Sequence, residues 1–212
     1  MYYSKQHKQK KNINFVYKWS LIIGSVLIAA ALPLSFILPV SVSFENGLIE
    51  NLQVVSLIVG GIYNITLIGK STDYQIADFH LWCTVLMFFM AFRELSWGRI
   101  FYPIGFEATG PVFVDMSNFE YRIEVHILMA AFILFLLVFM LRNLPLQRML
   151  RCRLPFMIIF AMAVAMAFSY IGDHGMVVGK LQGQIVEEFS ELAFYTLIPA
   201  LCIYYHRELS KI

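Results

Sequence analysis

Three carboxylates, Glu187, Glu188 and Glu191, stand inside QIVEEFSELAFYTLIPALCIYY (184–205), a stretch otherwise apolar enough to sit in hydrocarbon. An ionised side chain at the centre of a bilayer costs about 2.5–3.5 kcal/mol on insertion scales, so such groups turn to a protein interior and mark proton, ion or substrate chemistry. Glu187 and Glu191 are four residues apart and share one helix face, with Glu188 close to it and Gln184 one turn outward. Further candidates gather at the ends of other apolar stretches. These are Glu50, then Arg93, Glu94 and Ser96 in FRELSWGRIF (92–101), Glu124 and His126, and Asp173 and His174 in SYIGDHGMVVG (169–179).

Carboxylates and imidazoles together suit Zn, Mn or Fe, and a bound divalent ion makes hydroxide available near neutral pH. On that reading His126, His174, Glu187 and Glu191 are the metal ligands. Glu94 or Glu50 is the general base, Arg93 holds an oxyanion or phosphate, and Ser96 is a candidate nucleophile. Each residue also has a plainer role. Glu50, Glu124 and Glu187 stand near helix N-termini, where the backbone dipole favours carboxylates whatever the function. Glu191 lies too deep for that, and Glu94 sits at a C-terminal end. Arg93, always ionised, requires a carboxylate, with Glu50 and Glu187 the expected partners. Ser96 lacks the strand-to-helix elbow that exposes a nucleophile. No HExxH, ExxH, Walker loop, GxGxxG or GxSxG occurs. His80 and His206, toward the opposite end, read as interfacial anchors.

The elements that must position these groups are set by composition. Of 212 residues 59% are hydrophobic and 14% charged, against about 25% charged in soluble domains. This predicts an all-α integral membrane bundle. Six apolar stretches approach or exceed the ~20 helical residues a crossing needs: 19–40, 48–69, 76–92, 124–141, 154–172 and 184–205. They must be helical, because lipid offers the backbone no hydrogen-bond partner. A basic segment (1–18) precedes the six-helix domain (19–206), which includes a long aromatic loop at about 95–123, and a short tail (207–212) follows. The first apolar run, about 22 residues, is longer than the 7–15 of a signal peptide, so it is expected to be retained as a helix.

Positive charge sets orientation. With the N-terminus inside, 12 of the 16 Lys and Arg fall on the cytoplasmic side, which leaves Arg93, Arg99, Arg122 and Lys180 outside. Both termini are then cytoplasmic, and 11 of the 14 acids fall on the outer half. Cys83, Cys152 and Cys202 lie toward the reducing side, which argues against structural disulfides. A net charge of +2 with no basic-aromatic groove argues against nucleic acid.

FRELSWGRIF, with ENGLIENLQVVSLI (45–58) before it and VEEFSEL (186–192) after it, resembles a group of small bacterial polytopic membrane proteins with a Glu-x-Ser-Trp-Gly signature and no established activity. The corresponding positions are Glu45, Glu50, Glu94, Ser96, Trp97, Gly98, Glu187 and Glu191. The group's pattern has Gln-Arg after the glycine, whereas Arg99 follows directly here, and YPIGFEATGP is lengthened. The resemblance implies a bacterial inner membrane and a site at this end.

The favoured function is a membrane-embedded, metal-assisted hydrolase or transferase. It would act on a lipid or lipid-linked substrate at a carboxylate/histidine site open to the periplasm. The alternatives are a proton- or cation-coupled transporter, or a non-catalytic subunit or assembly factor docking a membrane partner through the 95–123 loop.

Overall fold

The computed structural model describes residues 2–71, 73–101, 103–107, 110–115, 118 and 121–211. These form seven helices: α1 Tyr2–Ser35, α2 Leu48–Ile68, α3 Tyr74–Glu94, α4 Arg122–Asn143, α5 Leu146–Arg151, α6 Phe156–Asp173 and α7 Lys180–Leu209. Five segments are long and apolar enough to cross a membrane: Ile13–Ser35, Val40–Ile68, Tyr74–Glu94, Arg122–Asn143 and Phe156–Asp173. α7 is not among them, although its 30 residues exceed the length required, and it is the helix that carries Glu187, Glu188 and Glu191. The basic N-terminal segment is not a separate element, because α1 runs through it unbroken.

The long loop holds the strands found among the described residues. A kinked turn over Ser96–Phe101, not helical at Trp97 and Gly98, leads into an antiparallel pair, β1 Pro103–Glu107 with β2 Gly110–Phe113. Tyr102 and Phe119 of the loop's aromatic set lie outside the described residues. A second addition is α5, where a plain connection was expected. From it Arg148 donates to Asp73 Oδ2 (2.5 Å), to Gln75 Oε1 (3.2 Å) and to the Leu209 carbonyl (2.9 Å). One guanidinium thus ties α5, the start of α3 and the end of α7 together. That bond holds the Asp73 carboxyl below its ordinary value.

α7 is the central helix and packs on α1, α6, α2 and α3. In lipid the drive for helix association is close packing, which small residues permit. Gly60 and Gly61 of α2 meet Met87 and Phe88 of α3, and Gly24 of α1 sits against Leu197 of α7. The tightest approach joins backbones directly. A Cβ on Gly183 of α7 would stand 2.3 Å from the Gly172 carbonyl oxygen of α6. α4 packs chiefly on α3, with Phe89 and Phe132 stacked at 5.2 Å, and presents Leu128, Leu134 and Phe135 outward. α2 and α7 begin, and α3 and α6 finish, at one end of the bundle, here the acidic end. The Arg148 cluster marks the basic end.

Candidate functional site

α3 and α6 each lie against α7. Between them, at the acidic end, is a cavity of about 450 Å³. Its polar wall is Arg93, Ser169, Asp173, Glu187, Ser190 and Glu191, and Met90, Ala165, Met166 and Phe194 supply the apolar wall. The i, i+4 spacing of Glu187 and Glu191 does what helical geometry requires, putting both carboxylates on the α7 face that lines this space. A second cavity of about 280 Å³ continues toward the basic end, with an apolar lining that includes Leu86, Met162, Ile198 and Leu201. Met90 and Phe194 line both, so the two spaces adjoin across these side chains, one partly polar and the other apolar.

The partner of Arg93 is neither Glu50 nor Glu187. Its Nε and Nη2 donate to Oε1 of the adjacent Glu94 at 2.9 and 2.7 Å, and Nη2 also stands 2.8 Å from the Tyr195 hydroxyl. Tyr195 in turn donates to the same Glu94 oxygen at 2.7 Å. Glu191 Oε2 is 3.5 Å from Nη2. The correction has a simple cause. The chain leaves helical geometry just after Glu94, so its side chain can fold back beneath Arg93 and is only 7% exposed. The Arg93 side chain remains 55% exposed on the cavity side of this cluster. Glu94 is therefore a positioning group whose oxygen is already committed, and Arg93, Glu191 and Tyr195 are the members that line the cavity.

The other glutamates divide by helix face. Glu188, one residue on from Glu187 and so turned by about 100°, faces α2. There the Gln53 amide donates to its carboxylate at 2.8 Å and to its backbone carbonyl at 2.9 Å. Glu50 accepts from the backbone N–H of Asn46, one turn before it, as a carboxylate in a first helical turn does. Gln184 is exposed and is not among the residues that line the cavity. Ser96 donates to Glu45 Oε1 at 3.0 Å and joins two loops. The signature's remaining residues make a turn. Ser96, Trp97 and Gly98 follow one another in left-handed conformation (φ 44°, 57° and 85°), which costs about 1–2 kcal/mol for each non-glycine residue. The turn sets Trp97 edge-on to Phe89 at 5.1 Å.

The four residues expected to share a metal stand on or next to three helices, α4, α6 and α7. His126 is exposed on α4, with Nδ1 2.5 Å from the Arg122 carbonyl of its own helix. His174, also exposed, caps α6, with Nδ1 3.0 Å from the Tyr170 carbonyl and 3.4 Å from Asp173 Oδ2. Among the described residues no three His, Cys, Asp or Glu side chains are grouped to hold a metal ion. Of the four, Glu187 and Glu191 line the cavity wall one turn apart, where Asp173 also lines it.

His80 and His206 are not interfacial anchors. His80 is fully buried, with Nδ1 2.7 Å from Asn64 Oδ1 and Nε2 2.9 Å from His206 Nδ1. Asn64 donates its own amide to the Gly60 carbonyl, which turns its oxygen to His80 and makes His80 Nδ1 the protonated nitrogen. Nε2 then accepts from His206. That ring borders a third cavity, of about 340 Å³, at the basic end, shared with Lys70, Asp73 and Arg148. The only sequence signal for this network was its cost, three polar side chains on helices bound for lipid. No family model, no curated protein and no solved structure matches the chain.

Proposed function

We propose that this chain is an enzyme of the bacterial inner membrane, a hydrolase or transferase that takes a lipid or lipid-linked substrate at the cavity between α3, α6 and α7. The proposal includes α7 as a sixth span, both termini in the cytoplasm and the acidic end toward the periplasm. One observation carries it: the cavity with ionisable side chains adjoins an apolar cavity across Met90 and Phe194, the pairing an amphiphile requires. In this reading Arg93 binds an anionic oxygen of the substrate, held in place by Glu94 and Tyr195. Glu191 and Glu187, which face the same space, exchange protons with the nucleophile and the leaving group. A divalent ion (Zn, Mn or Fe) would have Asp173, Glu187 and Glu191 to use on this wall, and the acid–base steps above do not pass through it.

The test is turnover. Purified protein is incubated with a total bacterial lipid extract and the products are followed by mass spectrometry. A lipid or lipid-linked species should be consumed with time, and Glu191→Gln and Glu187→Gln should each stop it. The buried Asn64–His80–His206 chain at the basic end favours a second reading, proton-coupled transport. Absence of any turnover, with proton flux into vesicles that these variants abolish, would decide for that one.

A further inference from the structure

We propose that the headgroup this pair of cavities recognises is zwitterionic, a primary amine joined to a phosphodiester, and that one acyl chain of the same lipid lies along the apolar half. The inference rests on the lipid reading above and names the lipid class.

The polar half carries two opposite demands. Arg93 presents a guanidinium whose Nη1 has no partner among the described residues, although Nε and Nη2 are engaged. Beside it the Ser190 hydroxyl, 0% exposed, lines the cavity, and its oxygen also has no partner among those residues. Buried hydroxyls are nearly always hydrogen-bonded, so this one is placed for something that occupies the cavity. Guanidinium and hydroxyl together offer donors to a phosphate oxygen, the anion a guanidinium suits best. Three carboxylates line the same space: Asp173 and Glu187 at the mouth and Glu191 deeper.

A purely anionic headgroup would set more negative charge beside those three groups. A simple cation would leave the Arg93 and Ser190 donors unused. A zwitterion answers both, with phosphate on Arg93 and Ser190 and ammonium between Asp173 and Glu187. A primary ammonium donates three hydrogen bonds. A quaternary one donates none, which separates ethanolamine from choline.

The apolar half is of the right depth. From Glu191 to Cys202 along α7 is about 16 Å at 1.5 Å per residue, close to half of a ~30 Å hydrocarbon core. The walls over that distance come from α3, α6 and α7 and include Leu86, Met162 and Ile198. An acyl chain entering here would lie in one leaflet with its headgroup at the acidic end.

The experiment reads the acyl chain and the headgroup together. Trp82 lines the apolar cavity, and the other tryptophans are Trp19 and Trp97. The full-length Trp19→Phe/Trp97→Phe protein in dodecyl maltoside is titrated with phosphatidylethanolamine brominated on its acyl chains, which quenches a neighbouring indole. The proposal expects saturable quenching that unbrominated phosphatidylethanolamine reverses and equal phosphatidylcholine or phosphatidylglycerol does not. Glu187→Gln and Asp173→Asn keep shape and stand at the mouth, and each should weaken the ethanolamine lipid about tenfold, the effect of one charge-assisted hydrogen bond.

Equal quenching by brominated phosphatidylglycerol, or unaltered affinity in both variants, would overturn the proposal even if the protein turns over some other lipid. Amine-selective binding without turnover would support the headgroup assignment and count against the enzyme reading alone.

Discussion

Gly183→Ala tests whether the two helices that frame the cavity are in backbone contact. The added methyl would stand 2.3 Å from the Gly172 carbonyl oxygen, 3.3 Å from its carbon and 3.4 Å from Gly175 Cα. Real Cβ contacts essentially never fall under 3.0 Å, so the α6 and α7 ends must part by roughly 0.7–1 Å. The obstacle is backbone, so no side chain can swing away to relieve it. Overpacking of this kind costs about 1–3 kcal/mol, and the upper half of that range is expected here. For a chain of this size that is a fall of roughly 5–10 °C in Tm. Unfolding in detergent, followed by thiol reactivity of the buried Cys83 and Cys202, measures it. Gly69→Ala is the control, because nothing lies within 4 Å of a Cβ there, and it should stay within about 0.5 kcal/mol. Because the contact adjoins Asp173 and Glu187, the Gly183 variant should also lose ligand affinity. Equal melting temperatures for the two variants would refute the close α6–α7 packing and with it the shape of the cavity.

Glu94→Gln retains shape but replaces three bonds to a carboxylate oxygen with neutral ones. About 2 kcal/mol of lost stability is expected after discounting for the half-exposed Arg93, with Glu94→Ala worse because it also strands the Tyr195 hydroxyl; a melting series in which Glu94→Ala equals wild type would contradict the cluster. His80→Phe takes the partner from the Asn64 oxygen and from His206 Nδ1 inside the bundle and should cost about 2–4 kcal/mol, whereas a change below about 0.5 kcal/mol in thermal unfolding would mean that the histidine pair does not form. At the basic end, the Asp73 carboxyl is held below its ordinary value of 3.8 by Arg148. Its stabilisation is therefore complete above that pH and is lost as the pH falls through the lowered folded value. Arg148→Gln should lower the melting temperature at pH 7 and flatten its fall between pH 4 and 2, and an unchanged acid profile would exclude the pairing.

Much of the bundle is legible in the sequence because its rules are local. A segment bound for lipid must close its own hydrogen bonds, so apolar runs of the right length are helices, and the observed ends of α3 and α4 differ from the expected ones by only two residues. Spacing of four placed Glu187 and Glu191 on one face before any fold was known. Glu188, expected close to that face, instead turns to Gln53 of α2. The tertiary structure decided the partners. Arg93 bonds its own neighbour Glu94 because the helix ends there, and Glu191 joins them because α7 lies alongside. Gln53 and Glu188 are 135 residues apart, and His80 and His206 are 126 apart. No spacing in the chain relates such pairs. They meet because glycines set how closely the helices approach and the rotation of each helix sets which side chains face its neighbour.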